Sequence, residues 1–171
     1  MVSKVALLLR VSVCLALIGV AVITRAQPAH SVLHRPAPPF TRPDLNGKQI
    51  DLATYRGGVV LINFWATWCG PCQVELLQFA KWQRQYGPRG LQVIAVSMDD
   101  DLYPVRAMVR KIQPNFPIVM GDEQLGIEYD GVLGLPITYL LDRNGIVVAR
   151  FKGAGSLGKM EREIKKLLTQ K

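Results

Sequence analysis

The sequence predicts an α/β domain whose central mixed β-sheet carries helices on both faces. Three observations carry that expectation. Two nearly unbroken apolar runs rich in β-formers, residues 59–65 (Val-Val-Leu-Ile-Asn-Phe-Trp) and 91–97, have the composition of strands buried on both faces. Helical patterns follow each of them. Two Asn-Gly pairs, Asn46-Gly47 and Asn144-Gly145, mark hairpins. A length of 171 residues, with 49% hydrophobic and 20% charged, suits one globular core.

The elements follow in order. Residues 44–48 (Asp-Leu-Asn-Gly-Lys) join two short strands as an N-terminal hairpin. After the 59–65 strand, residues 71–86 read as a helix. Pro71 suits its first turn, and Gly87-Pro88 supplies a cap and a stop. Residues 91–97 form the second buried strand. Residues 104–113 form a helix with Val105, Met108, Val109 and Ile112 on one face. A short strand at 117–120 and a short helix at 122–130 come next. Strands at 137–141 and 146–151 make the second hairpin, and Leu157, Met160, Ile164, Leu167 and Leu168 mark a closing amphipathic helix.

Ahead of this domain, residues 1–26 have the make-up of a targeting segment. Lys4 and Arg10 are basic, no acidic residue precedes Asp44, and residues 11–23 are apolar apart from Ser12 and Gly19. As a helix this run spans about 20 Å, short of the roughly 30 Å of a hydrocarbon core. Thr24-Arg25-Ala26 offers a cleavage site. Removal as a signal peptide is favoured over retention as an N-terminal membrane anchor, and both place the remainder outside the cytoplasm. Five prolines between residues 27 and 43 predict a stiff, extended tether over 27–36 before a domain at 37–171.

Charge excludes one class of function. The net charge is +8, of which Lys4, Arg10 and Arg25 supply three. What remains is scattered or lies on the last helix, with no basic stripe interleaved with aromatics, so nucleic acid is not an expected partner. His30 and His34 fall in the proline-rich tether, which leaves the folded domain without a histidine base or a histidine metal ligand.

The cysteines are more informative. Cys14 lies inside the targeting run, leaving Cys69 and Cys72. Such a pair closes too short a loop to constrain the unfolded chain much. A four-ligand zinc site would need further Cys or His ligands, which the folded part lacks. Trp68-Cys69-Gly70-Pro71-Cys72 stands where a buried strand gives way to a long helix. A helix N-terminus offers unpaired N–H groups and partial positive charge, both of which favour a thiolate. Cys69, ahead of the helix, is expected to be the exposed sulfur, and Cys72, one turn in, the shielded one. Lowering a thiol from pKa about 8.5 to about 7 raises its ionised share at pH 7 from a few per cent to half, about 2 kcal/mol of stabilisation. The expected chemistry is redox exchange through this pair.

The stretch Val60-Leu61-Ile62-Asn63-Phe64-Trp65-Ala66-Thr67-Trp68-Cys69-Gly70-Pro71-Cys72 resembles the thioredoxin superfamily, and more narrowly its TlpA/ResA-like extracytoplasmic oxidoreductases. The resemblance spans residues 37–171 and includes Ala37-Pro38-Pro39-Phe40 and Gly134-Leu135-Pro136-Ile137-Thr138. It implies a thioredoxin-like fold, with the helix and strand around 104–120 as an insertion. It implies a cis Leu135–Pro136 bond beside the cysteines, whose backbone pairs with an extended client. Trp68, Gly70, Pro71, Leu135 and Pro136 then become substrate-binding candidates. Glu75 matches an acid that these proteins place below the pair, one turn from Cys72, where it can take the Cys72 proton. Two positions depart from the pattern: Asn63 stands where thioredoxins usually carry a buried aspartate, and Leu77 replaces a proline.

The resemblance points to a dithiol reductant of secreted proteins, apocytochrome c among them, supplied with electrons by a membrane donor protein and requiring no cofactor. Gly70-Pro71 is the dipeptide of thioredoxin, a reductant at about −270 mV, against about −120 mV for the oxidant DsbA. Two alternatives stand beside it. A peroxiredoxin-type peroxidase would need a Pro-x-x-x-Thr-x-x-Cys setting, which is missing. A copper-carrying thiol module would need a further donor, for which Met98 and Met120 are the candidates.

Overall fold

A computed structural model describes residues 31–170. The targeting segment 1–26 with Cys14, and His30, lie outside the described residues. The first hairpin pairs β1 (Thr41–Pro43) with β2 (Gln49–Asp51). The main sheet contains β3 (Val59–Trp65), β4 (Leu91–Ser97), β5 (Ile118–Met120), β6 (Ile137–Leu141) and β7 (Val147–Lys152) in the order β5-β4-β3-β6-β7. β3, β4 and β5 run parallel, and β6 and β7 are antiparallel to their neighbours, so the sheet is mixed as expected. Helices α1 (Gly70–Tyr86), α2 (Leu102–Ile112), α3 (Glu123–Glu128) and α4 (Leu157–Thr169) complete the fold.

The period-two alternation of the strands sorts their side chains onto two cores. Val59, Leu61 and Trp65 of β3 and Val93 and Ala95 of β4 meet α1, Val105 of α2, and Met160 and Ile164 of α4. Val60, Ile62 and Phe64 face Leu125 of α3 and the N-terminal residues Phe40, Ile50 and Leu52. Covering both faces explains why β3 reads as a continuous apolar run. On the second face Phe64, Tyr129 and Tyr139 pack with ring centroids 5.1 to 5.9 Å apart. Each such pair adds about 0.5–1.5 kcal/mol beyond its burial. The Tyr86 hydroxyl donates to Glu161 at 2.6 Å and fastens the far end of α1 to α4.

One local expectation is corrected, and two others gain detail. Residues 31–36 are not an extended tether. Val32 is buried, His34 takes a left-handed φ of 64°, the His34 N–H donates to the Val147 carbonyl at 2.7 Å, and Pro36 bridges Ile146. The segment thereby pairs with the start of β7 at Val147, on the sheet edge that would otherwise be open there. Asp130 holds it there, accepting from the Val32 N–H at 2.7 Å and the Ser31 hydroxyl at 3.1 Å while pairing with Arg150.

Both Asn-Gly signals mark hairpins, but the loops are longer than the two-residue turn that this dipeptide favours. Only the glycines, Gly47 (φ 85°) and Gly145 (φ 76°), are left-handed. The preceding aspartates close the loops: Asp44 accepts from the N–H groups of Asn46 and Lys48, and Asp142 from those of Asn144 and Ile146. Finally, Gly87 does not end α1 with a left-handed turn. The chain continues through a 3-10 turn, Gly87–Arg89, and Gly90 (φ 100°) makes the reversal. Pro88 fits the start of that turn because its missing N–H is not needed there.

Candidate active site

β3 ends at Trp65, and Ala66, Thr67 and Trp68 carry the chain to Cys69, which caps α1. Cys69 takes extended backbone angles (φ −90°, ψ 97°), so its Sγ lies over the first turn and accepts from the Cys72 N–H at 3.3 Å. Pro71 occupies the first turn, as the sequence suggests. Cys69 and Cys72 are joined as a disulfide with Cα atoms 5.3 Å apart. Their order of exposure is as expected, 5% for Cys69 and 0% for Cys72, but even the outer sulfur is largely covered. The pair can interconvert between disulfide and dithiol, with the Cys69 sulfur, though largely covered, at the positively polarised end of α1.

The other predicted residues lie at the same end of the sheet as this pair. Trp68 is 72% exposed, and Gly70 and Pro71 are exposed beside it. The Leu135–Pro136 bond is cis, Pro136 is buried, and Leu135 packs against the core cluster that contains both cysteines. Because Ile137 pairs with Phe64, Pro136 lies at the end of the sheet from which the cysteine loop departs. No backbone hydrogen bond outside the regular elements involves Gly134 or Leu135 among the described residues.

Glu75 is the electrostatic anomaly. It is 2% exposed, and neither carboxyl oxygen has a hydrogen-bond partner among the described residues. Burial raises its pKa from 4.5 to about 7, because the carboxylate loses its water without gaining a compensating charge or donor. A buried carboxyl of this kind is divided between its two protonation states near neutrality, the property wanted in a proton acceptor one helical turn from a thiol. Asn63, on the α1-facing side of β3, donates to the Thr138 hydroxyl at 2.9 Å while its Oδ1 has no partner among the described residues. α1 runs unbroken through the exposed Leu77, the position where a proline is absent.

The structure also brings up residues that sequence reasoning missed. Asp99, only 9% exposed, accepts from the Thr67 N–H and the Thr67 hydroxyl. Gln73 donates to the Thr67 carbonyl at 2.9 Å. The sequence offers only proximity as a signal for Thr67. Asp99 is 32 positions away and reads there as one of three consecutive acids. Met98 and Met120 line a common acidic pocket, and no group of three potential metal-binding His, Cys, Asp or Glu residues exists among the described residues.

A buried disulfide at the head of a helix, on a five-stranded mixed sheet with a cis-proline at the same sheet end, defines a thioredoxin-like dithiol exchange protein. The family model of the AhpC/TSA family matches residues 33–150. ResA, a thiol-disulfide oxidoreductase of Bacillus cereus, is 32% identical over 170 residues, covering 96% of this chain and 98% of that protein. ResA of Geobacillus kaustophilus is 30% identical over 98% of this chain and 95% of its own length. Among solved structures, the protein assigned as thiol:disulfide interchange protein DsbE of Chlorobium tepidum superposes with a TM-score of 0.72 at 32% identity, covering 78% of this chain and 95% of that one. The chain belongs to the AhpC/TSA family and, within it, to the ResA-like thiol–disulfide oxidoreductases of the thioredoxin superfamily. Its substrates accordingly contain disulfides.

Proposed function

We propose that the protein is an extracytoplasmic dithiol reductant in which Cys69 attacks and Cys72 resolves. One observation carries the reading: the helix-capping sulfur of Cys69 sits one turn before Cys72, with the partnerless, buried carboxyl of Glu75 a further turn inside. The Cys69 thiolate attacks one sulfur of a client disulfide, forming a mixed disulfide and expelling the other sulfur as a thiolate, which takes a proton from solvent. Glu75 then accepts the Cys72 proton. The Cys72 sulfur attacks Cys69 Sγ, closing the intramolecular disulfide and releasing the second client sulfur. The second client sulfur leaves as a thiolate and takes the proton back from Glu75, so the client gains two electrons from the cysteine pair and two protons, one from solvent and one from Cys72. Trp68, Gly70, Pro71, Leu135 and Pro136 form the surface on which an extended client segment lies.

Direction follows from the Gly70-Pro71 pair by analogy with thioredoxin. A reductant outside the cytoplasm needs a membrane protein as electron donor, and the leader at 1–26 supports that location, whether removed or kept as an anchor. Apocytochrome c and other secreted proteins with reducible disulfides are the proposed clients.

The test combines insulin-disulfide reduction, peroxide consumption and Cu(I) titration with a redox titration of the Cys69/Cys72 couple. Insulin reduction that Cys69→Ser abolishes, with a midpoint near −270 mV, supports the reading. No disulfide reduction, with peroxide turnover or Cu(I) affinity intact in Cys69→Ser, overturns it. A midpoint above about −150 mV reassigns the protein as an oxidant.

A further inference from the structure

We propose that Asp99 is a positioning residue for the attacking sulfur, acting through Thr67. Only Ala66, Thr67 and Trp68 separate the last strand residue from Cys69, and their torsions decide whether Cys69 reaches the capping geometry over Cys72. Every polar atom of Thr67 is held by a side chain. Its N–H donates to Asp99 Oδ2 at 2.9 Å and, less closely, to Oδ1 at 3.2 Å, and its hydroxyl donates to Oδ1 at 2.6 Å. Its carbonyl accepts from the Gln73 side chain at 2.9 Å, which ties it to the first turns of α1.

Asp99 is itself fixed. The Ser97 hydroxyl donates to Oδ2 at 2.7 Å, and the Asp99 N–H donates back to Ser97 Oγ at 3.2 Å. Ser97 pairs with Trp65 across the sheet, and the Met98 N–H donates to the Trp65 carbonyl at 2.8 Å, so the clamp stands on the ends of β3 and β4. A buried carboxylate with no cationic partner is costly unless hydrogen bonds satisfy it, and bonds to an ionised acceptor are the stronger kind. Asp99 has no ion pair among the described residues; its charge is met by Thr67 and Ser97 instead. Three of the four hydrogen bonds that the carboxylate accepts thus come from the residue two positions before Cys69.

The clamp is one of position, not of charge. A negative charge near Cys69 opposes a thiolate, so a purely electrostatic role predicts that neutralising Asp99 makes Cys69 more acidic. A positioning role predicts that removing the bonds to Thr67 makes Cys69 less acidic, whereas a neutral side chain that keeps them changes little. This inference rests on the reading of Cys69 as the attacking thiolate, and the test keeps the two apart. The pH profile of Cys69 alkylation by iodoacetamide is measured on the reduced full chain for wild type, Thr67→Val, Asp99→Ala, Asp99→Asn and Ile164→Val. Thr67→Val removes one clamp bond and keeps the shape and the Asp99 charge, so it guards against misfolding of Asp99→Ala. Ile164→Val loosens the core at α4, the helix tied through Glu161 to the end of α1 opposite the cysteines, and controls for stability loss alone.

Thr67→Val and Asp99→Ala are expected to reduce the Cys69 thiolate at pH 6 about threefold, an upward shift of about half a pKa unit. Asp99→Asn, which retains one acceptor oxygen, recovers most of it, and Ile164→Val matches wild type. A wild-type Cys69 pKa near 7 with unchanged or more acidic Cys69 in Thr67→Val and Asp99→Ala overturns the clamp alone. A wild-type value near 8.5 overturns the reading of Cys69 and the clamp with it.

Discussion

Replacing Glu75 with glutamine should change how stability depends on pH more than it changes stability itself. Burial raises the Glu75 carboxyl from 4.5 to about 7. In the unfolded chain the group ionises near 4.5, while the native protein keeps its proton until about pH 7. The unfolded state therefore binds fewer protons across that window, and stability falls as pH rises through it. The contribution is present in full below 4.5 and gone above 7. At 1.36 kcal/mol per pKa unit the whole loss is about 3 kcal/mol. Asp122 and Glu161 are shifted the other way by hydrogen bonds, with Leu125 N–H first for Asp122 and Tyr86 first for Glu161. Those contributions are common to both proteins and cancel in the difference. Urea unfolding of the oxidised forms, in which neither cysteine titrates, gives the measurement. From pH 4 to pH 8.5 wild type should lose about 3 kcal/mol relative to Glu75→Gln. Parallel curves would show that the Glu75 carboxyl is solvated or paired, and its role as proton acceptor would go with them.

Three further outcomes are expected. Cys72→Ser should accumulate a mixed disulfide with an added client, seen as a reductant-sensitive band on non-reducing gels, whereas Cys69→Ser should form none. Trp68→Ala removes a side chain that is 72% exposed beside Cys69. It should lower kcat/KM for a protein disulfide roughly tenfold, as loss of an aromatic contact residue does, with the melting temperature unchanged. Asp130→Ala frees the Val32 N–H and the Ser31 hydroxyl and breaks the Arg150 pair. It should cost about 1–3 kcal/mol and expose residues 31–36 to limited proteolysis; resistance equal to wild type would mean that buried Val32 and the backbone bonds to Val147 hold the segment without Asp130.

The parts of the fold legible in the sequence were those decided locally. β3 and β4 are apolar throughout because both faces of the sheet are covered, and their bounds follow from that run. Hairpins announce themselves through Asn-Gly because glycine alone takes the left-handed turn at Gly47 and Gly145 without a steric cost. Cys69 and Cys72 are readable because their spacing places them at a helix start. What was hidden depends on contacts distant in sequence. Val32 looks like a linker residue until Asp130 and Val147, about a hundred positions away, supply its surroundings. Glu75 fits a solvated helix face as well as a buried one, and only the packing of α1 against β3 decides between them. Asp99 sits in an acidic triplet that reads as surface, yet the path of β4 beside β3 brings it to Thr67.

The ionisation of Cys69 is the most direct measurement of all. Alkylation of the reduced protein by iodoacetamide across pH 5 to 9, with each modified sulfur identified by mass spectrometry, gives the pKa of each thiol. A Cys69 value near 7, with Cys72 reacting far more slowly at every pH, is the predicted result. A Cys69 value of 8.5 or above, or faster modification of Cys72, would contradict the assignment of the helix-capping sulfur as the attacking group.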